Sequence, residues 1–242
     1  MIGHRLVVVA DAHLSADTTA NAAAFLAFLD AVPSLGDSLL LAGDIYDFWF
    51  SYRRLVPRHC IRVTSRIVEL ARRIPVLMIG GNHDRWGDTF WGPETGVTFH
   101  PRRLRFDIGG RTVMASHGDG VYKERKIATL LNGVLDMPAA IATFSVIPPG
   151  LGFRIAKSLG HNPDHVAAHP ELIDMAAAHQ DTWAEGEMLR DEQLGVLVMG
   201  HTHRAAVREI APQRWYVNPG AWLDRQHYAV VGSSGVALAE FR

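Results

Sequence analysis

Residues 6–13 read Leu-Val-Val-Val-Ala-Asp-Ala-His, an apolar run that ends abruptly in a carboxylate and an imidazole. An unbroken apolar run of this length, Leu6–Ala10, is the pattern of a strand buried on both faces. The same design recurs twice downstream. Ser38–Ala42 runs into Gly43-Asp44, with Asp47 three positions on, and Pro75–Ile79 runs into Gly80-Gly81-Asn82-His83-Asp84. Helical patterns separate the runs. Asn21–Ala31 puts Phe25, Leu26 and Leu29 on one face, with Thr19 or Asn21 as its cap. Pro57–Arg73 turns Ile61, Ile67, Val68 and Leu70 inward and leaves Arg58, Arg62, Arg66, Arg72 and Arg73 as a solvated rim. Buried strands alternating with helices predict an α/β fold with parallel pairing covered on both sides.

The second half differs. Val97–Phe99, Leu104–Ile108 and Thr112–Ala115 read as shorter strands, with Gly109-Gly110 as a hairpin turn. A mostly helical stretch spans about 121–193, and Gly195–Met199 is another buried strand. Ala205–Ile210, Arg214–Asn218, His227–Val231 and Val236–Phe241 then suggest a meander that closes the sheet. Repeats and linkers are absent, so 1–242 reads as one domain with a helical insertion at 121–193.

Composition removes several classes of function. With 24 Lys plus Arg against 25 Asp plus Glu, the formal charge of -1 lacks the basic excess of a nucleic-acid binder, so no nucleic-acid partner is expected. One cysteine, Cys60, rules out an intramolecular disulfide and fits a reducing compartment. The first apolar run is too short for a secretory signal, and no segment reaches the roughly 18 apolar residues of a membrane span. A cytoplasmic chain follows, with Leu130–Phe153 apolar enough for peripheral contact with a membrane.

Five expected strands end in metal-type donors: Asp11 and His13; Asp44; Asn82, His83 and Asp84; His117 and Asp119 in Ser-His-Gly-Asp (116–119); and His201 and His203 in Gly-His-Thr-His (200–203). Open α/β sheets gather ligands at the C-terminal ends of their strands. In an extended Asp-x-His, alternate side chains share a side, so Asp11 and His13 would grip one ion. His201 and His203 would do the same, unless a turn aims them at two. Oxygen and imidazole donors without thiolate suit Mn, Fe, Zn, Co or Ni. Such a set is more than one ion needs and suits two that share a carboxylate.

Together these five blocks resemble the calcineurin-like metallophosphoesterase family. The resemblance implies a four-layer sandwich of two mixed β-sheets flanked by helices, with two divalent ions, Mn(2+) first among candidates. Asp11, His13, Asp44 and His203 would hold one ion, and Asp44, Asn82, His117 and His201 the other, with Asp44 bridging. His83 would act near the scissile phosphate, with Asp84 pairing to it and fixing its tautomer. Asn218-Pro219-Gly220 would support the loop of the last histidines.

Gly43–Phe50 (GDIYDFWF) and the chain length are similar to the UDP-2,3-diacylglucosamine pyrophosphohydrolases, which release UMP and an acylated sugar 1-phosphate. Those enzymes clasp acyl chains under a helical cap, matching the apolar Ile127–Phe153. The implied partner is a phosphorylated small molecule or lipid-linked nucleotide. Lys123, Arg125, Arg154 and Lys157 would meet its phosphates, and Phe48, Trp49, Trp86 and Trp91 are aromatic candidates for its base or acyl chains. The best-known branch carries Arg where this chain has His83. Phosphoesters of another lipid, a cyclic nucleotide or a phosphoprotein remain alternatives, as does an inactive binding scaffold. The scaffold would be marked by a missing ligand, and none is missing.

Overall fold

The computed structural model describes residues 2–15, 18–50, 52, 55–87, 90–121, 137–159 and 170–242. Its first sheet has six strands in the order β11-β10-β1-β2-β3-β4. These are β1 (Leu6–Val9), β2 (Ser38–Leu41), β3 (Val76–Ile79), β4 (Val97–His100), β10 (His227–Gly232) and β11 (Gly235–Glu240). β1 to β4 pair in parallel, while β10 runs antiparallel to β1 and to β11. The second sheet has five strands in the order β5-β6-β7-β9-β8. They are β5 (Arg103–Ile108), β6 (Arg111–Ser116), β7 (Leu194–Val198), β8 (Ala206–Ala211) and β9 (Arg214–Asn218). β6, β7 and β9 are mutually parallel, with β5 and β8 antiparallel at the edges.

The period of two in β1 assigns its faces. Leu6, Val8 and Ala10 point at the second sheet and pack with Leu40, Leu77, Val113, Val196, Val198 and Val217. Val7 and Val9 point the other way, onto α1 (Thr19–Leu35) and α2 (Ile61–Ala71), where Phe25, Phe28, Leu29, Val63, Ile67 and Leu70 cover them. On the far side, Met114, Leu197 and Tyr216 pack under α5 (Pro170–Arg190) through Ala184 and Met188. The result is the expected four layers: helices, sheet, sheet, helix. Between the sandwich strands, α3 (Pro138–Val146) and α4 (Pro149–Leu159) precede α5. The last helix of the 121–193 stretch thus forms a layer of the sandwich itself.

Three local expectations need correction. The final four strands are not one meander: β8 and β9 complete the second sheet, whereas β10 and β11 extend the first. Ile61 is 48% exposed at the start of α2; Val63 and Thr64 take the buried positions beside Ile67 and Leu70. Neither Thr19 nor Asn21 caps α1, which begins at Thr19 after Thr18 and has no side-chain cap; the Asn21 side-chain amide donates instead to the Ala12 carbonyl at 2.9 Å, between two proposed ligands. No helix among the described residues is long and apolar enough to cross a membrane.

Candidate metal centre

β1, β2, β3, β6 and β7 all end at one rim of the sandwich, and the loops leaving them are laced together by backbone hydrogen bonds. Asp11 and His13 donate their amides to the carbonyls of Gly43 and Asp44, at 3.1 and 3.0 Å. The Gly200 amide donates to the His117 carbonyl, and the Trp49 amide to that of His83, each at 3.0 Å. Side chains add cross-ties. The Asp11 carboxylate accepts from the His201 amide, with 3.0 Å to Oδ2, and Asp44 Oδ1 accepts from the His83 amide at 2.8 Å. Asn218 donates to the Gly200 carbonyl and to Thr202 Oγ1, which gives its turn the expected supporting role.

The backbone at the ligands is unusual. Asp11 (φ 53°), His13 (φ 44°), Asp44 (φ 52°), His201 (φ 71°) and His203 (φ 58°) all occupy the left-handed region. The only other described non-glycine residues with positive φ are Gln213 and Gln226. Residues that carry a Cβ enter this region at a cost of about 1–3 kcal/mol each, and such strain collects at functional sites. Asp11-Ala12-His13 and His201-Thr202-His203 are therefore not the extended segments that simple alternation suggests. Each turns at both donor residues.

Close approach explains two of the glycines. A Cβ on Gly43, itself at φ +92°, would run into the His117 ring, and one on Gly81 into the Asp44 carboxylate.

The donors converge in overlapping clusters. Asp11, His13 and His203 each offer one atom within 4.8 Å of the others, and so do Asp44, His117 and His201. A third group, His13, Asp44 and His83, links them. Asp44 Oδ2 lies 3.1 Å from His117 Nε2 and 4.0 Å from His13 Nε2, the intermediate position expected of a shared carboxylate. His117 Nδ1–H donates to the Ala42 carbonyl at 3.0 Å, which leaves Nε2 facing the cluster. His13 Nε2 and Asn82 Oδ1 are buried without a hydrogen-bond partner, and His117 Nε2 meets only the Asp44 carboxylate at 3.1 Å. Buried polar atoms with unmet capacity are costly in a protein interior unless something else binds them. Here all three belong to the proposed ligand set, so the residues fit a pair of cations.

Ionisation follows from burial and from charge. Burial pushes the Asp11 carboxyl up to about 7, with Asp44 adding to the rise and His117 opposing it. Burial drives His13 down to about 3 and His201 to about 4, holding both neutral and ready to ligate. It opposes charge at Asp44 and His117 too, but their mutual attraction prevails: Asp44 lies well below its ordinary value and His117 well above. A cation entering the cluster must therefore displace a proton from His117, and below about pH 7 one from Asp11 as well. Mn(2+) affinity is expected to rise from pH 6 to pH 8, by roughly tenfold per unit for each proton displaced. Calorimetry at pH 6 in buffers of different ionisation heat should report proton release; pH-independent affinity would contradict this.

Around the cluster the structure reassigns several residues. Asp84 is fully buried, and its carboxylate accepts the backbone amides of Gly81, Asp44, Ile45 and Tyr46 at 2.8, 3.1, 2.8 and 3.3 Å. It pins two ligand loops to each other. The hydrogen bond that sets the His83 tautomer comes from Asp47 instead, whose carbonyl accepts from Nδ1 at 2.7 Å. The Asp47 carboxylate also stands 3.9 Å from His13 Nδ1 and 4.0 Å from His83 Nδ1. Its place three residues after Asp44 was the available sequence signal. Arg85 and Asp119 form an ion pair at 2.9 Å that ties the third ligand loop to the fourth.

Among the aromatic candidates, Trp49 and Trp91 are 1% and 2% exposed and pack with Tyr46 in the core, so their rings are not presented at the surface. Phe48 and Trp86 are partly exposed and gather with the buried Phe50 and with Phe144 of α3, on the loops that follow Asp44 and His83, the Trp86 and Phe144 rings lying 14° from parallel. Arg154 is exposed on α4. Lys123, Arg125 and the side chain of Lys157 lie outside the described residues.

The family model for calcineurin-like phosphoesterases matches residues 4–205, a span that takes in every proposed ligand. The chain belongs to the calcineurin-like phosphoesterase family. Within it, the chain is 23% identical to a UDP-2,3-diacylglucosamine hydrolase of Porphyromonas gingivalis, over 97% of this chain and 96% of that one. It is 27% identical to a UDP-2,3-diacylglucosamine hydrolase of Salmonella arizonae, over 96% and 97%. Among solved structures, it is similar to a phosphopantetheinyl hydrolase from Mycobacterium tuberculosis, at 14% identity and a TM-score of 0.47, covering 98% of this chain and 95% of that one. A phosphoesterase of this family with these clusters is a metal-dependent hydrolase.

Proposed function

We propose that this phosphoesterase hydrolyses the pyrophosphate of UDP-2,3-diacylglucosamine, releasing UMP and 2,3-diacylglucosamine 1-phosphate, with Mn(2+) at both metal positions. The observation that carries the hydrolytic chemistry is the pair of donor clusters meeting at Asp44. Two divalent ions held there would supply Lewis acidity and a water of lowered pKa. Asp11, His13 and His203 hold one side of the centre, and Asn82, His117 and His201 the other. His83 takes the role of proton donor to the leaving oxygen. Its Nδ1–H is committed to the Asp47 carbonyl, so proton donation to the leaving oxygen would fall to Nε2. Burial opposes its protonation, but Asp44 and the Asp47 carbonyl raise its pKa above the usual value.

The substrate rests on the relatives at 23 and 27% identity and on the aromatic cluster of Phe48, Phe50, Trp86 and Phe144, which offers an apolar surface beside the centre. A lipid-linked substrate accords with a cytoplasmic chain that meets the membrane peripherally. It also accords with reading 1–242 as one domain whose helices after Val121 contact acyl chains.

The test is a panel assay after chelation and reloading with Mn(2+), using UDP-2,3-diacylglucosamine, bis-p-nitrophenyl phosphate and cyclic nucleotides. UMP release from the lipid substrate, abolished by EDTA and restored by Mn(2+), is the expected result. Cleavage of only the small diesters would sink the lipid assignment.

A further inference from the structure

The single-turn helix α6 (Trp222–Arg225) follows the Asn218-Pro219-Gly220 turn and lies against the ligand loops. It is fixed there from two sides. Trp222 is fully buried among Phe25, Phe28 and Phe241, and the amides of Trp222 and Leu223 donate to the carbonyls of Ala10 and Asp11 at 3.0 and 3.1 Å. The second of these bonds holds the backbone of a proposed ligand that sits in the left-handed region. With the helix so anchored, Asp224 is brought to the back of the His203 ring. Its Oδ2 stands 3.8 Å from Nδ1, while Nε2 on the opposite edge stands 3.6 Å from Asp11 Oδ1.

We propose that Asp224 is a positioning residue of the metal centre. Its carboxylate accepts Nδ1–H of His203 and so presents Nε2 to the ion shared with Asp11 and His13. The inference rests on the two-metal reading given above. A ligating imidazole generally gives its other N–H to a carboxylate or carbonyl, which fixes both tautomer and ring orientation. Two other imidazoles of the centre are placed in this way: His117 gives Nδ1–H to the Ala42 carbonyl, and His13 Nδ1 faces the Asp47 carboxylate at 3.9 Å. Asp224 supplies the equivalent group for His203. The gap of 3.8 Å exceeds a hydrogen bond by about 1 Å. The side chain is half-exposed, at 51%, so its torsions are not locked by packing.

No known ligand occupies position 224, and losing a half-exposed carboxylate leaves the Trp222 and Leu223 anchors intact. Asp224→Ala and Asp224→Asn are compared with the wild-type full chain by competition titration of Mn(2+) against a chelating dye. Asp224→Ala is expected to weaken one of two Mn(2+) sites by ten- to a hundredfold and leave the other unchanged. Asp224→Asn, whose amide oxygen still accepts the N–H, is expected to lose less.

Ring nitrogen shifts of His203 in the chelated protein give a second readout, which a merely structural role would not move. They should show Nδ1–H in the wild type and mixed tautomers in Asp224→Ala. Should the alanine variant fail to fold, the asparagine variant carries the comparison. Wild-type affinity at both sites, or equal loss at both, overturns the role of Asp224. Failure of the wild type to bind Mn(2+) overturns the two-metal reading and this inference with it.

Discussion

Asp44→Ala is expected to lose metal at both positions and to lower kcat/KM by more than about a thousandfold. Lewis-acid catalysis supplies several kcal/mol, and each 1.36 kcal/mol is a factor of about ten in rate. The geometry concentrates this effect in one side chain. Oδ2 lies between the two clusters, 3.1 Å from His117 Nε2 and 4.0 Å from His13 Nε2. Oδ1 accepts the His83 amide at 2.8 Å, so the substitution also loosens the loop that carries Asn82. Burial works against charge at Asp44, but His117 and His83 outweigh it, and the group is ionised before any cation arrives. Elemental analysis of the purified variant checks the outcome, with circular dichroism to confirm the fold. Two metal equivalents per chain, as in the wild type, would remove Asp44 from the bridging position.

His83→Ala should give the opposite combination: full metal content and a kcat lower by roughly 10²–10⁴, the usual contribution of a positioned general acid. His83 belongs to one donor cluster with His13 and Asp44. Its ring meets His13 edge-on at 4.9 Å between centroids, so proximity alone would allow it to be a ligand. Retained metal with lost turnover separates the acid from a ligand; an emptied centre would make it a ligand after all. The pH profile adds a second check. Because its pKa is raised, the limb of the kcat profile set by loss of this proton should vanish in the variant.

Much of the molecule could be read from local pattern. Leu6–Ala10, Ser38–Ala42 and Pro75–Ile79 are apolar on both faces, which leaves a strand little choice but a covered parallel sheet, and the polar residue that ends each run marks the functional rim. The partition of the last four strands was not legible, because a hairpin pattern states which neighbours pair and says nothing about which sheet the pair joins. Trp49 and Trp91 follow ligand blocks in the chain, as Trp86 does; the direction of each side chain depends on the turn taken after the strand. Asp84 beside His83 suggested a pair. Four backbone amides from two loops meet its carboxylate, a convergence that only tertiary structure creates. Asp224 had no signal, since it stands outside all five donor blocks and the strand ends that carry them.

The five left-handed donors set backbone ease against chemistry. Glycine, or asparagine at lower gain, would relieve that backbone at each position but would take the donor atom away. The residues placed to bind cations are thus also the ones whose backbone the surrounding loops must hold in place.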